Sequence, residues 1–63
     1  MSHKYQVGDV LDLIDTSTKE VFEHILIVDV TKDHYCNYSL TYGDYSKEPI
    51  FVLDTAMSVR RVS

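Results

Sequence analysis

Tryptophan is absent from this chain of 63 residues, and cysteine and proline occur once each and glycine twice. Each scarcity excludes something. The lone thiol, Cys36, has no partner for a disulfide within one chain. With so little glycine and proline the chain has no low-complexity tract or linker. No apolar run approaches the roughly 20 residues that a membrane-spanning helix needs. Met1 to Lys4 leads straight into patterned sequence without the apolar core of a signal peptide. A free thiol without an export signal gives a cytoplasmic location as the expectation. Basic residues are also few: six Lys and Arg against ten Asp and Glu, a net charge of −4. Phosphate backbones attract basic surfaces, so this balance argues against a general nucleic-acid binder.

What is present is the composition of a folded protein, 44% hydrophobic and 25% charged. The length allows one domain, residues 1–63. A chain this short buries only about 60% of the surface its unfolded form exposes. Domains with such thin cores draw support from disulfides, metals or self-association. With the disulfide excluded, a homo-oligomer is expected, most simply a two-fold dimer.

Turn-forming residues fall at Gly8-Asp9, at Asp15-Thr16-Ser17-Thr18, at Lys32-Asp33 and along Gly43 to Pro49. Short apolar segments lie between them, the spacing of a small β protein. Val10 to Asp15 sets Leu11 and Leu13 on one face, with Val10, Asp12 and Ile14 on the other. Glu20 to Val30 reads as a strand with Phe22, Leu26, Val28 and Val30 facing in. The alternative is a helix, because Ser17-Thr18-Lys19-Glu20 has capping-box spacing. The β-branched residues Val21, Ile25, Ile27, Val28 and Val30 favour the strand. Tyr35 to Tyr42 alternates, with Cys36, Tyr38, Leu40 and Tyr42 expected inside and Asn37, Ser39 and Thr41 outside. Ile50 to Leu53 reads as the fourth strand and Ser58 to Val62 as the closing one.

The opening Lys4-Tyr5-Gln6-Val7-Gly8-Asp9-Val10 resembles the start of Src-homology-3-like small barrels, where Gly-Asp precedes the first strand. The resemblance implies an all-β, five-stranded barrel with a long bent second strand and a short helical turn, here Asp54-Thr55-Ala56-Met57, before the last strand. Small phage-encoded and bacterial accessory proteins often have this organisation. Domains of this kind that read proline-rich peptides use a tryptophan in an aromatic groove, and this chain has none, so recognition of that sort is not expected.

Motifs for chemistry are missing. His24, His34 and Cys36 are permissible metal ligands, and His3 would have to complete the set. Their spacing fits no zinc pattern, and no metal or other cofactor is expected. There is no nucleophile elbow, phosphate-binding glycine loop or His-Glu-x-x-His. Cys36 at an inward position reads as a small hydrophobe. Asp12, Asp15, Glu20 and Glu23 read as a solvated acidic face. The expectation is a binding module and not an enzyme.

Tyr35, Tyr38, Tyr42 and Tyr45 fall within eleven residues. Tyrosine offers a large contact area with a polar tip and is enriched at interfaces. Tyr38 and Tyr42 also fit a core face with wet hydroxyls, whereas Tyr35 and Tyr45 lie off it. The expected partner-binding set is Tyr35, Tyr42, Asp44, Tyr45 and Glu48, an acidic and aromatic surface. It suits a protein partner with a basic surface, in the manner of an inhibitor or adaptor. The alternative is single-stranded nucleic acid stacked on the tyrosines, with Lys4, Lys47, Arg60 and Arg61 supplying charge.

Overall fold

The structure is a computed structural model that describes residues 3–62. The chain runs through β1 (Val10–Ile14), β2 (Val21–Val30), β3 (His34–Ser39), β4 (Tyr45–Pro49), α1 (Ile50–Thr55) and β5 (Val59–Arg61). The strands form one antiparallel sheet in the order β4-β3-β2-β1-β5. The sheet is open, with β4 and β5 at its edges, and α1 carries the chain from one edge to the other.

Turn chemistry sets the hairpins. Gly8 has a φ of +96°, which only glycine adopts without strain, and its N–H bonds to the Ile27 carbonyl at 2.8 Å. Between β1 and β2 the Asp15 carboxylate accepts the Ser17 amide at 2.9 Å, the Ser17 hydroxyl at 2.6 Å and the Thr18 amide at 3.3 Å. The Ser17 hydroxyl leads these donors in holding the Asp15 carboxyl below its ordinary pKa. This arrangement displaces the capping box, because the Ser17 hydroxyl is committed to Asp15. The chain continues as a strand and not as the alternative helix.

Pairing sorts the side chains onto two faces, since directly opposed residues share a face. The core face holds Leu11, Ile25, Ile27 and Tyr35, all buried, with Leu13, Val30 and Val59 packed at its margin. Tyr5 and Leu53 cap it. Leu11 and Leu13 fall where their alternation placed them. On β2 the expected inner set is reversed: Ile25 and Ile27 are inside, while Phe22 and Val28 are exposed. A bulge between Ile27 and Asp29 then uses up one residue, so Val30 also turns inward.

The parity of β3 is reversed as well. Tyr35, Asn37 and Ser39 are buried, and Cys36 and Tyr38 lie on the other side, half-buried. The two buried polar residues are partnered. Asn37 Oδ1 accepts the Ser46 hydroxyl at 2.7 Å, and Ser39 Oγ accepts the Tyr42 amide at 2.9 Å. Polar groups inside a sheet are tolerated when they are bonded in this way. Leu40 to Tyr42 form the β3–β4 turn and do not continue the strand.

The fourth strand occupies Tyr45–Pro49, one segment earlier than expected, and the apolar run after it is the helix. Pro49 cannot donate to the ladder and stands at the N-cap. Ile50 and Leu53 are three apart, the spacing of one helical face, and both pack on the core. Phe51, 70% exposed, points away. The helical turn expected at Asp54 to Met57 therefore lies four residues too late.

Candidate functional site

The β3–β4 hairpin projects two tyrosines. Gly43, with a φ of +76°, turns the chain, and its N–H bonds to the Ser39 carbonyl at 2.8 Å. Tyr45 is 75% exposed and Tyr42 is 65% exposed. The Tyr45 ring leans on Tyr38 with centroids 4.9 Å apart, and the Tyr42 hydroxyl donates to the Phe22 carbonyl at 3.4 Å. The Tyr45 ring is thus held against the hairpin, and the Tyr42 hydroxyl is tethered to β2, which lowers the entropy lost on binding. Leu40 and Phe22 are exposed beside them and Asp44 supplies a negative charge. Tyr45 also ends a cross-strand row on the uncovered face, Val10–Leu26–Tyr38–Tyr45.

The expected contact set is only partly brought together. Tyr42, Asp44 and Tyr45 share the hairpin end. Tyr35 is corrected: it is 0% exposed and offers nothing to a partner. Its hydroxyl accepts the Tyr5 amide at 3.1 Å and donates to the Asp54 carboxylate. Its ring meets Tyr5 edge-on at 5.7 Å. One side chain thereby joins the N-terminal segment, β3 and α1. Burial, followed by the hydrogen bond to Asp54, pushes its pKa up to about 12. Glu48 pairs with Tyr35 across β3–β4, so it sits on the opposite face from Tyr45.

Glu48 instead lines a cleft of about 330 Å³ between α1 and the sheet. Leu13, Ile25, Leu53 and Val59 form its apolar walls. Glu23 enters from β2, Glu48 and Ser46 from β4, and Asn37 from β3. Sequence reasoning missed this cleft, because its members come from six separate elements and depend on where the helix starts.

On the uncovered face Asp12 is buried, not part of a solvated acidic face. Its carboxylate accepts Arg60 at 2.9 Å and His24 Nδ1 at 2.7 Å, tying β5, β1 and β2 in one row. The Arg60 hydrogen bond, opposed by desolvation and aided by His24, holds the Asp12 carboxyl below its ordinary value of 3.8. A depressed folded-state pKa adds stability above the unfolded value and loses it as the pH falls through the folded one. Asp12→Asn should therefore melt at lower temperature than the parent at pH 7, with the gap narrowing below pH ~4. Thermal melts from pH 2 to pH 7 check this, and a gap independent of pH would contradict it.

The remaining candidates are dispersed. Asp15 and Glu20 are exposed at the ends of the β1–β2 loop, while Glu23 turns into the cleft. Arg61 approaches Asp9 at 3.8 Å, and the Lys4 ammonium lies 5.5 Å from the Tyr5 ring centre. Among the described residues no three His, Cys, Asp or Glu side chains converge. Among them, too, no helix is long and apolar enough to cross a membrane. No protein-family model, curated protein or solved structure matches the chain.

Proposed function

We propose that this protein is a non-enzymatic protein-binding module that docks on a partner with a basic surface through Tyr42, Asp44 and Tyr45. The observation that carries the reading is the exposure of two tyrosines on a glycine-closed turn, each braced by a neighbour. In that role the chain acts as an inhibitor or adaptor, covering a basic surface that otherwise receives nucleic acid, as a phage-type accessory protein does. The strand order, the bulged ten-residue β2 and the short helix before β5 support a Src-homology-3-like arrangement. The row of Val10, Leu26 and Tyr38, left uncovered in one chain, suits a second copy.

A stacked single strand is the competing use of these tyrosines. Against it, Arg60 is committed to Asp12, Arg61 faces Asp9, and Lys4 lies over Tyr5. Of the four cations only Lys47, two residues from Tyr45 on the same face, stands beside the rings, and one cation is not a continuous track. The test is affinity capture from native cell extract with the parent, Tyr42→Ala and Tyr45→Ala chains as bait, followed by calorimetry on the captured partner. Each alanine should weaken binding by about 1–3 kcal/mol. Tight, steeply salt-dependent binding of a single-stranded oligonucleotide, lost in Arg61→Ala, would overturn the reading.

A further inference from the structure

We infer that the outer edge of β5 takes an extended segment of a partner polypeptide as an added strand, with an aliphatic side chain of that segment in the cleft and an acidic one against Arg61. This contact is separate from the hairpin and does not depend on it.

The backbone selects an extended occupant. In an antiparallel ladder, alternate residues turn their N–H and C=O toward one neighbour and the residues between turn theirs away. The Ile14 amide donates to the Ser58 carbonyl at 2.8 Å and the Val62 amide to the Val10 carbonyl at 2.7 Å, with Arg60 opposite Asp12 between them. Ser58, Arg60 and Val62 therefore bond to β1, while Val59 and Arg61 present their N–H and C=O groups outward. Among the described residues no backbone group of Val59 or Arg61 finds a partner on that side. The opposite edge is less suited, because β4 ends in Pro49, which has no N–H to offer.

The side chains select its sequence. Val59 lies opposite Leu13 and Arg61 opposite Leu11, so both belong to the core face. A strand laid along β5 puts the residue opposite Val59 on that face, where the cleft of about 330 Å³ begins. Leu13, Leu53 and Val59 wall the cleft and suit an aliphatic side chain. Main-chain bonds to an edge and a pocket for alternate side chains are together what strand addition needs. In an antiparallel strand, the pairing used throughout this sheet, the residue opposite Arg61 comes two positions earlier. Arg61 is exposed and approaches Asp9 only at 3.8 Å, well beyond the roughly 2.7–2.9 Å of a charge-assisted hydrogen bond. Its guanidinium is left to meet an incoming carboxylate across the strands. The segment therefore reads acidic residue, any residue, aliphatic residue. A second β5 is a poorer occupant, because setting Val59 opposite Arg61 of another copy also opposes the two Arg60 side chains.

The test is a ¹⁵N chemical-shift titration of the full chain with the peptide acetyl-Thr-Glu-Thr-Leu-Thr-amide, whose glutamate and leucine fall opposite Arg61 and Val59. The expected result is a saturable response, with the Val59 and Arg61 amides moving downfield and gaining protection from hydrogen exchange. Methylating the leucine nitrogen of the peptide removes the N–H that meets the Val59 carbonyl, and should weaken binding about tenfold. Alanine in place of the leucine leaves the cleft unfilled and should also weaken binding by about tenfold. Arg61→Glu should lose the parent peptide and accept the same peptide with lysine in place of glutamate. Equal affinity for the N-methylated peptide, no response at the Val59 and Arg61 amides, or an unchanged charge preference in Arg61→Glu would each overturn the inference. Tyr45→Ala should titrate as the parent does, so the edge and the hairpin are judged apart.

Discussion

Tyr35→Ala should leave the protein largely unfolded at 25 °C. Removing a buried aromatic ring costs about 3–5 kcal/mol. A core this small rarely provides more than about 3–5 kcal/mol of stability. The Tyr35 ring is enclosed by Tyr5 and the sheet, and its hydroxyl bridges the Tyr5 amide and the Asp54 carboxylate. Alanine therefore opens a cavity and unties the N-terminal segment and α1 from β3 together. Tyr35→Phe isolates the hydroxyl, leaving both partners to find water, at a cost of about 1–3 kcal/mol. Urea denaturation followed by circular dichroism measures both variants. A Tyr35→Ala chain as stable as the parent, but deficient in partner binding, would return this residue to the surface.

The same residue predicts an alkaline effect. Its pKa is raised from the ordinary 10 to about 12, so the folded state holds the phenolic proton longer than the unfolded one. The resulting stability is complete below pH 10 and declines as the pH rises through about 12. Tyr35→Phe lacks this decline. Melting both chains between pH 8 and pH 11 separates the titration from general alkaline damage.

Tyr35 also marks the limit of what composition and periodicity reveal. A tyrosine beside a turn, next to an alternating segment, has the pattern of an interface residue. Two polar residues reverse that assignment. Asn37 and Ser39 occupy the inner face because β4 and the hairpin turn supply their hydrogen bonds, and Tyr35 shares their parity. A rule that sends polar residues outward cannot foresee partners contributed by a later strand. The turns were legible because they depend on neighbours in the chain. Gly8, Asp15 and Gly43 bend the backbone where their local chemistry directs. The first strand was legible because Asp12 breaks an otherwise apolar run, although Asp12 itself is buried through Arg60 and His24. Of the expected contact set, Tyr42, Asp44 and Tyr45 meet because they lie in one turn. The cleft was hidden because its lining residues come from six elements that assemble only once the sheet has formed and α1 has packed on it.

The helix and β2 were harder for a different reason. Ile50 to Leu53 is continuously apolar, so it fits a buried strand and a short helix alike, and the choice depends on Pro49 ending β4. In β2, apolar residues stand on both faces from Phe22 to Val30, so alternation does not identify the inner one. The bulge between Ile27 and Asp29 then changes parity within the strand. In such a segment burial follows from register with β1, where Leu11 lies opposite Ile25.

Paired substitutions at that bulge report directly on which face is the core. Ile27 is fully buried and lies opposite Asn37, whereas its neighbour Val28 is 37% exposed. Ile27→Ala should destabilise the fold by about 2–5 kcal/mol, from lost burial plus the cavity left in close-packed surroundings. Val28→Ala deletes a similar apolar side chain from the open face, and should cost under about 1 kcal/mol. The comparison holds strand and chemistry nearly constant and varies only the direction of the side chain. In urea, the Ile27→Ala midpoint should fall sharply with its slope unchanged, since the surface exposed on unfolding is nearly the same. If Val28→Ala proved the more damaging of the two, β2 would be turned over. The inner set would then be Phe22, Leu26 and Val28, and the cleft lined by Glu23 and Ile25 would not exist in solution.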